Sequence, residues 1–348
     1  MSDTDLAERF AREIAAEGPM PLVRFMAGAN AHYYATRDPL GAEGDFVTAP
    51  EISQMFGELI GLWLADLWTR AGSPQNAHYV ELGPGRGTLA EDALRAMRAV
   101  RFEPPIDLVE TSPVLRRMQA ERLPTGLWHD DFDEVPKGGP LLIVANEFFD
   151  ALPVRQLCRD ENGWRELSVG YGDEGFAPVM SGPDLTALVP PALRDAEPGS
   201  VIETSAATTA VAGALASRLA EHGGAALVID YGYEGPALGD TLQAVSRHAY
   251  ADIFAAPGTR DLTAHVDFGE LARIGREAGL QVHGPVEQGM WLESMGLGAR
   301  TAALAKAAPH CREELIAARD RLTNPTEMGR LFKVLAFTSQ SWPDPAAF

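Results

Sequence analysis

The stretch YVELGPGRGTLAEDALRA, residues 79–96, decides the fold. A short apolar run enters a turn with glycine at 83, 85 and 87, and a helix-patterned segment follows. Glycine adopts positive φ without the Cβ penalty and lets a backbone approach a ligand closely. The N-terminus of the next helix adds the positive end of a dipole. A strand–turn–helix of this kind suits a nucleotide-like ligand, and the rest of the chain narrows which one.

Working outward, strands and helices alternate. IDLVE (106–110) reads as a strand, and SPVLRRMQAERL as a helix opened by Ser112 with Pro113 in its first turn. GLWHDDF (126–132) reads as a short strand, GPLLIVANEFFDAL (139–152) as a strand entering an irregular loop, and AALVIDYG (225–232) as a fifth strand. QVHGPVEQ and a final FKVLAFTSQ (332–340) complete the strands, and 290–322 is mainly helical. Such alternation predicts an α/β fold with a doubly wound parallel sheet.

Three segments break the pattern. Residues 153–180 hold three strand-like runs around polar turns, expected as an antiparallel insertion. Residues 233–265 read as a long loop with a substrate or lid role. The N-terminal 75 residues read as a helical cap, including helices near 4–17 and 21–34. Thr48 and Glu51 have capping-box spacing. Ile52, Met55, Phe56, Leu59, Ile60 and Trp63 follow the spacing of one buried helix face. The expected division is therefore a cap over 1–75 and a core over 76–348, with insertions at about 153–205, 233–265 and 286–328.

Composition sets bounds. A chain of 348 residues with 46% hydrophobic content can bury a sizeable core. A net charge of −20 repels nucleic acid and anionic membranes; it serves solubility or, on a sharper reading, suits a basic partner such as an arginine-bearing peptide. The two cysteines, Cys158 and Cys311, form no metal-spaced motif, so reduced structural thiols and no metal are expected. The N-terminus is acidic in its first turns and resembles neither a secretory signal nor a transit peptide, which points to a bacterial cytoplasmic protein.

The turn itself discriminates between ligands. A nicotinamide dinucleotide site wants a third glycine where Thr88 stands, and a P-loop wants a lysine that is missing. Glu81 ends the strand just before Gly83, Gly85 and Gly87; it would repel a pyrophosphate and suit an amino group beside a positive charge. S-adenosylmethionine (SAM) is such a ligand. Glu110, at the end of the second strand, is placed to accept ribose hydroxyls, a feature shared with dinucleotide sites. Asp131, beside Asp130, is placed to accept the adenine amino group, with Phe132 against the ring. Each also has a plain structural reading, as a strand-end carboxylate or a turn aspartate.

ANEFFDALP (145–153) follows the fourth strand, where open α/β sheets bind their ligands. Asn146, Glu147 and Asp150 are the candidate catalytic groups. Two carboxylates can grip a guanidinium, concentrate electron density on one nitrogen and help remove a proton. They can equally cap the next turn or pair with Arg155. Tyr231 and His265 are weaker candidates, with structural roles favoured.

GDFVTAPEISQMFGELIGLW, ELGPGRGTL, ANEFFDALPVRQ, DYGY, DTLQAVSRH, DLTAHVDF and MGRLFKVL together resemble the MidA-type family, that of the mitochondrial complex I assembly-factor arginine methyltransferase and its bacterial relatives. The matches run from about residue 28 to 335. The resemblance implies a class I methyltransferase, with a seven-stranded sheet, an antiparallel last strand and SAM as methyl donor. It implies Glu81, Gly83, Gly85, Gly87 and Thr88 as the SAM loop, Glu110 for the ribose and Asp131 with Phe132 for the adenine. It also implies that the GDFVTAPEIS segment closes over the cofactor with Thr48 and Glu51 near it. The implied substrate is an arginine in the 49-kDa-type subunit of NADH:ubiquinone oxidoreductase. A SAM-binding assembly chaperone without turnover and a small-molecule methyltransferase are the competing readings.

Overall fold

The computed structural model describes residues 3–36, 48–246 and 249–348. Arg247 and His248 of one family motif, and the GDFV portion of another, lie outside them. The described residues fall into two compact units. The core unit draws on Val47–Phe149, Val211–Gly232 and Phe268–Phe348, the second unit on Met1–Phe46, Asp150–Ala210 and Tyr233–Asp267. Residues 48–75 thus lie with the core unit.

The core unit is built on the expected alternation. Its elements are α1 (Gln54–Arg70), β1 (His78–Leu82), α2 (Thr88–Arg98), β2 (Ile106–Val109), α3 (Pro113–Arg122), β3 (Leu127–His129) and β4 (Leu141–Asn146). They continue with α4 (Ala206–His222), β5 (Gly224–Tyr233), α5 (Phe268–Glu277), β6 (Gln281–Glu287) and β7 (Phe332–Thr338). The strand order is β6-β7-β5-β4-β1-β2-β3. β5, β4, β1, β2 and β3 are parallel, whereas β7 runs antiparallel between β5 and β6. Every residue of β4 is buried, as expected of a strand covered on both faces.

Packing of α1 on α2 explains why residues 48–75 belong here. A Cβ on Gly61 would lie 2.2 Å from the Ala93 carbonyl oxygen, and one on Gly57 would lie 2.7 Å from the Asp92 Cβ. The two helices can approach this closely only because both positions lack side chains. The expected buried face is present: Met55, Phe56, Leu59, Ile60 and Trp63 are all buried, with Ile52 packed against them.

The helix expected to start at Thr48 is broken. A short helix, Ala49–Ile52, ends at Ser53, whose extended backbone (φ −160°) interrupts it. Ser53 then caps α1, its hydroxyl accepting from the Met55 amide at 3.2 Å. Thr48 makes no side-chain capping bond, so the capping box is not formed.

In the second unit the inserted antiparallel strands are Arg155–Asp160, Gly163–Gly172 and Gly175–Ser181, joined by Val201–Thr204. Helices Asp3–Glu17 and Leu22–Thr36 also belong to it. Residues 233–265 are not a plain loop: Gln243–Ser246, Ala249–Ala251 and Asp261–Thr263 form a three-stranded antiparallel sheet. No helix among the described residues is long and apolar enough to cross a membrane.

Candidate active site

The glycine turn leaves β1 at the carboxyl end of the parallel strands. Gly83, Gly85 and Gly87 have φ of 62°, 55° and 79°, all in the left-handed region. Gly87 is the N-cap of α2, so Thr88 opens that helix and its dipole end faces the turn. A Cβ on Gly83 would lie 2.9 Å from the Phe148 ring. The missing side chain thus admits the aromatic segment that follows β4 and sets the turn against it.

Glu81 is 2% exposed and accepts the Tyr79 hydroxyl at 2.6 Å. Burial pushes its carboxyl up to about 7, against the hydrogen bond from Tyr79, which pulls it down. Desolvation by the sheet is the larger effect because the residue lies between neighbours on both β2 and β4.

Glu110 follows β2 and is buried. Its Oε1 accepts from the Ser112 amide at 2.7 Å, and its Oε2 from Gln119 Nε2 at 3.2 Å. Burial raises its pKa, and these hydrogen bonds to the anion oppose the rise. Glu51 reaches the turn from the short helix before α1, accepting Thr88 Oγ1 at 2.6 Å with Arg86 Nη1 at 3.7 Å. Its carboxylate therefore braces the start of α2. Thr48 is half-buried one residue ahead of that short helix.

Asp131 is exposed and caps a single turn, Phe132–Glu134, by accepting the Asp133 amide at 2.9 Å. Phe132 points inward: it is 4% exposed, with the Arg218 guanidinium 5.6 Å from its ring centroid. Asp130 pairs with Arg116 at 2.6 Å.

The segment after β4 is tightly determined. Glu147 has φ 49°, a left-handed conformation uncommon for a residue with a side chain. Its amide donates to the Ile229 carbonyl at 2.9 Å, and two residues later the Phe149 amide donates to Asp230 Oδ2 at 3.1 Å. β5 thus holds both ends of the strained residue. The Glu147 carboxylate accepts the Ala49 amide at 3.2 Å and Asn146 Nδ2 at 3.3 Å. Asn146 is 8% exposed, and its buried Oδ1 has no hydrogen-bond partner among the described residues.

The core unit therefore brings together Glu81, the three glycines, Thr88, Glu110, Glu51, Asn146 and Glu147. Asp150 belongs to the second unit, where it is buried and its carbonyl accepts the Ala264 amide at 3.0 Å. Tyr231 packs edge-on against Phe332. His265 lies in the second unit with its pKa lowered by burial. Among the described residues, no cluster of acidic, histidine and cysteine side chains could hold a metal. Sequence reasoning missed Tyr79, Gln119 and Asp230. Only the alternation of Tyr79 with Glu81 on one face of β1 was a usable signal.

Comparison with known proteins bears on this geometry. The family described as "Putative S-adenosyl-L-methionine-dependent methyltransferase" matches residues 59–286, which spans β1 to β5, the glycine turn and the segment after β4. The chain belongs to this family. It is 38% identical to the Drosophila melanogaster protein named protein arginine methyltransferase NDUFAF7 homolog, over 95% of this chain and 84% of that protein. It is likewise 38% identical to the Danio rerio protein arginine methyltransferase NDUFAF7, over 94% of this chain and 85% of that one. A Burkholderia thailandensis protein crystallised with S-adenosyl-homocysteine superposes with a TM-score of 0.88 at 28% identity, covering 99% of this chain and 94% of its own.

This family member is a SAM-dependent methyltransferase with the class I fold. Its own residues fit the cofactor. The turn offers open backbone, and the buried Glu81 carboxyl would suit a cationic amine.

Proposed function

We propose that this chain is a protein arginine N-methyltransferase, and that its substrate is an arginine of a 49-kDa-type subunit of respiratory complex I, whose assembly it aids in the bacterial cytoplasm. The observation that carries the reading is the pair after β4. Glu147 is held in a strained left-handed conformation, and the buried Oδ1 of its neighbour Asn146 has no hydrogen-bond partner among the described residues. Strain of this kind costs about 1–2 kcal/mol and persists where surrounding structure imposes it. The relatives named as protein arginine methyltransferases, and a net charge of −20, support a basic protein substrate.

In this reading the glycine turn and Glu81 hold the methionine end of the cofactor, and Glu110 holds the ribose. Glu51 orders the turn through Thr88. Asp131 borders the adenine as a hydrogen-bond acceptor. When bound, SAM supplies a methyl carbon made electrophilic by its sulfonium. The Glu147 carboxylate accepts guanidinium N–H groups and takes the proton that the methylated nitrogen gives up. Asn146 Oδ1 accepts a further N–H and fixes the plane of the guanidinium. An arginine is protonated at any ordinary pH, so alignment and proton removal are what the protein must provide.

The test is a methyl-transfer assay with purified 49-kDa-type subunit and labelled SAM, followed by peptide mass spectrometry. Label on an arginine of the subunit is expected. Binding of both partners without any transfer would favour the chaperone reading, and label on small molecules alone would overturn the protein substrate.

A further inference from the structure

Gln119 is fully buried in α3, with polar contacts to the glycine turn, to Glu110 after β2 and to Trp128 in β3. Its Nε2 donates to the Gly85 carbonyl at 2.7 Å and to Glu110 Oε2 at 3.2 Å, and its Oε1 accepts from the Trp128 indole at 2.7 Å. The amide orientation follows from these partners. A flipped amide would set oxygen against a carbonyl and a carboxylate, and an N–H against an indole N–H. Both amide hydrogens and the amide oxygen are thus directed at the wall of the site. The backbone of α3 closes without them: its N-cap is Ser112, and Leu123 donates back to the Gln119 carbonyl at its end.

We propose that Gln119 is a positioning residue for the cofactor: it fixes the distance between the glycine turn at Gly85 and the Glu110 carboxylate, so the methionine end and the ribose meet a preset gap. Trp128 locks the amide from β3, and Ser112 locks the other oxygen of Glu110. Glu110 is left able to accept ribose hydroxyls without first reorganising, which is where preorganisation contributes to affinity. The proposal rests on reading Gly85 and Glu110 as cofactor groups.

The experiment is a calorimetric double-mutant cycle with S-adenosylhomocysteine, using the full chain, Gln119→Met, Glu110→Ala and the double variant, each with a thermal melt. Gln119→Met keeps the volume and is expected to weaken binding roughly 10–100-fold, since one bond to a carboxylate and one to a carbonyl are lost. In the Glu110→Ala background the same substitution is expected to cost at least roughly fivefold less, because part of its effect runs through Glu110. Gln119→Glu retains the acceptor for Trp128 but faces Glu110 with like charge, and is expected to bind more weakly still. Losses that multiply independently would make Gln119 a packing residue and overturn the proposal. Weakened binding in Glu110→Ala with unchanged binding in Gln119→Met would overturn it while leaving the placement of the cofactor intact. Unchanged binding in both would overturn that placement and the proposal with it.

Discussion

Acidification is expected to weaken SAM binding through Glu81. Burial holds this carboxyl up at about 7, and the Tyr79 hydroxyl at 2.6 Å opposes the rise. If the cationic methionine end requires the ionised carboxylate, the apparent Kd scales with the reciprocal of the ionised fraction. That fraction falls from nearly all at pH 8 to roughly one tenth at pH 6, so binding weakens roughly tenfold. The ligand's own α-amino group, with an ordinary pKa of about 7.7–8.0, gains its proton over the same interval. That change alone would tighten binding roughly two- to threefold, so the net weakening expected from pH 8 to 6 is roughly three- to fivefold. Calorimetry at pH 8, 7 and 6 in two buffers of different ionisation enthalpy gives both Kd and proton release. Glu81→Gln is expected to bind weakly with no fall on acidification, and Tyr79→Phe to move the fall to higher pH. A Kd constant within about twofold from pH 8 to 6 would refute the reasoning, as would an identical slope in Glu81→Gln. Stability of the ligand-free protein runs the opposite way with pH. A folded pKa above the unfolded value of about 4.3 means that the native state holds more protons between the two values. The contribution is fully present below about 4.3 and is lost as pH rises through about 7, up to about 4 kcal/mol in all.

Gly85→Val places a β-branched residue at φ 55° in the turn, and calorimetry is expected to show SAM affinity weakened beyond roughly a hundredfold. Glu147→Gln is expected to keep SAM affinity within about threefold while methyl transfer falls roughly 10²–10⁴-fold; equal activity would remove Glu147 from the proton-accepting role. Glu147→Gly and Glu147→Ala both lose the bonds to Ala49 and Asn146 and are expected to abolish transfer, but only glycine relieves the left-handed strain and is expected to melt higher than alanine, so an equal or lower midpoint would count against strain at this residue. Gly61→Val drives a side chain into the Ala93 carbonyl and is expected to cost about 3 kcal/mol or more in denaturant unfolding, with α1 parting from α2.

The sheet was legible because its strands carry their own signal. β4 and β5 are continuous apolar runs buried on both faces, and β1 and β2 are each followed by a segment of helical period. The failures share a cause. Thr48 and Glu51 stand at capping-box spacing, yet the Glu51 carboxylate is taken by Thr88, thirty-seven residues away. A local hydrogen bond that the spacing permits lost to a tertiary one that the spacing cannot display. Residues 233–265 read as a loop because strands of three or four residues, such as Asp261–Thr263, are too short for period-two alternation to register among glycines and prolines.

The same asymmetry governs the site. Residue types at the ends of parallel strands are informative, because topology places such positions at the ligand whatever the details of packing. Glu81, Glu110, Asn146 and Glu147 could therefore be picked out from their distance to an apolar run. The groups that hold them could not. Gln119 looks like any helix glutamine until α3 is laid on the glycine turn; then Gly85, Glu110 and Trp128 converge on it from three different segments. Asp230 looks like a strand-end carboxylate of the same kind as Glu81, but its Oδ2 accepts the Phe149 amide and anchors the segment in which Glu147 is strained. A cofactor-facing carboxylate and a supporting one are identical as letters. What separates Asp230 from Glu81 is that both Asp230 oxygens accept backbone amides, of Phe149 and Tyr231, whereas Glu81 takes the Tyr79 hydroxyl, and the Phe149 bond comes from packing between segments far apart in the chain.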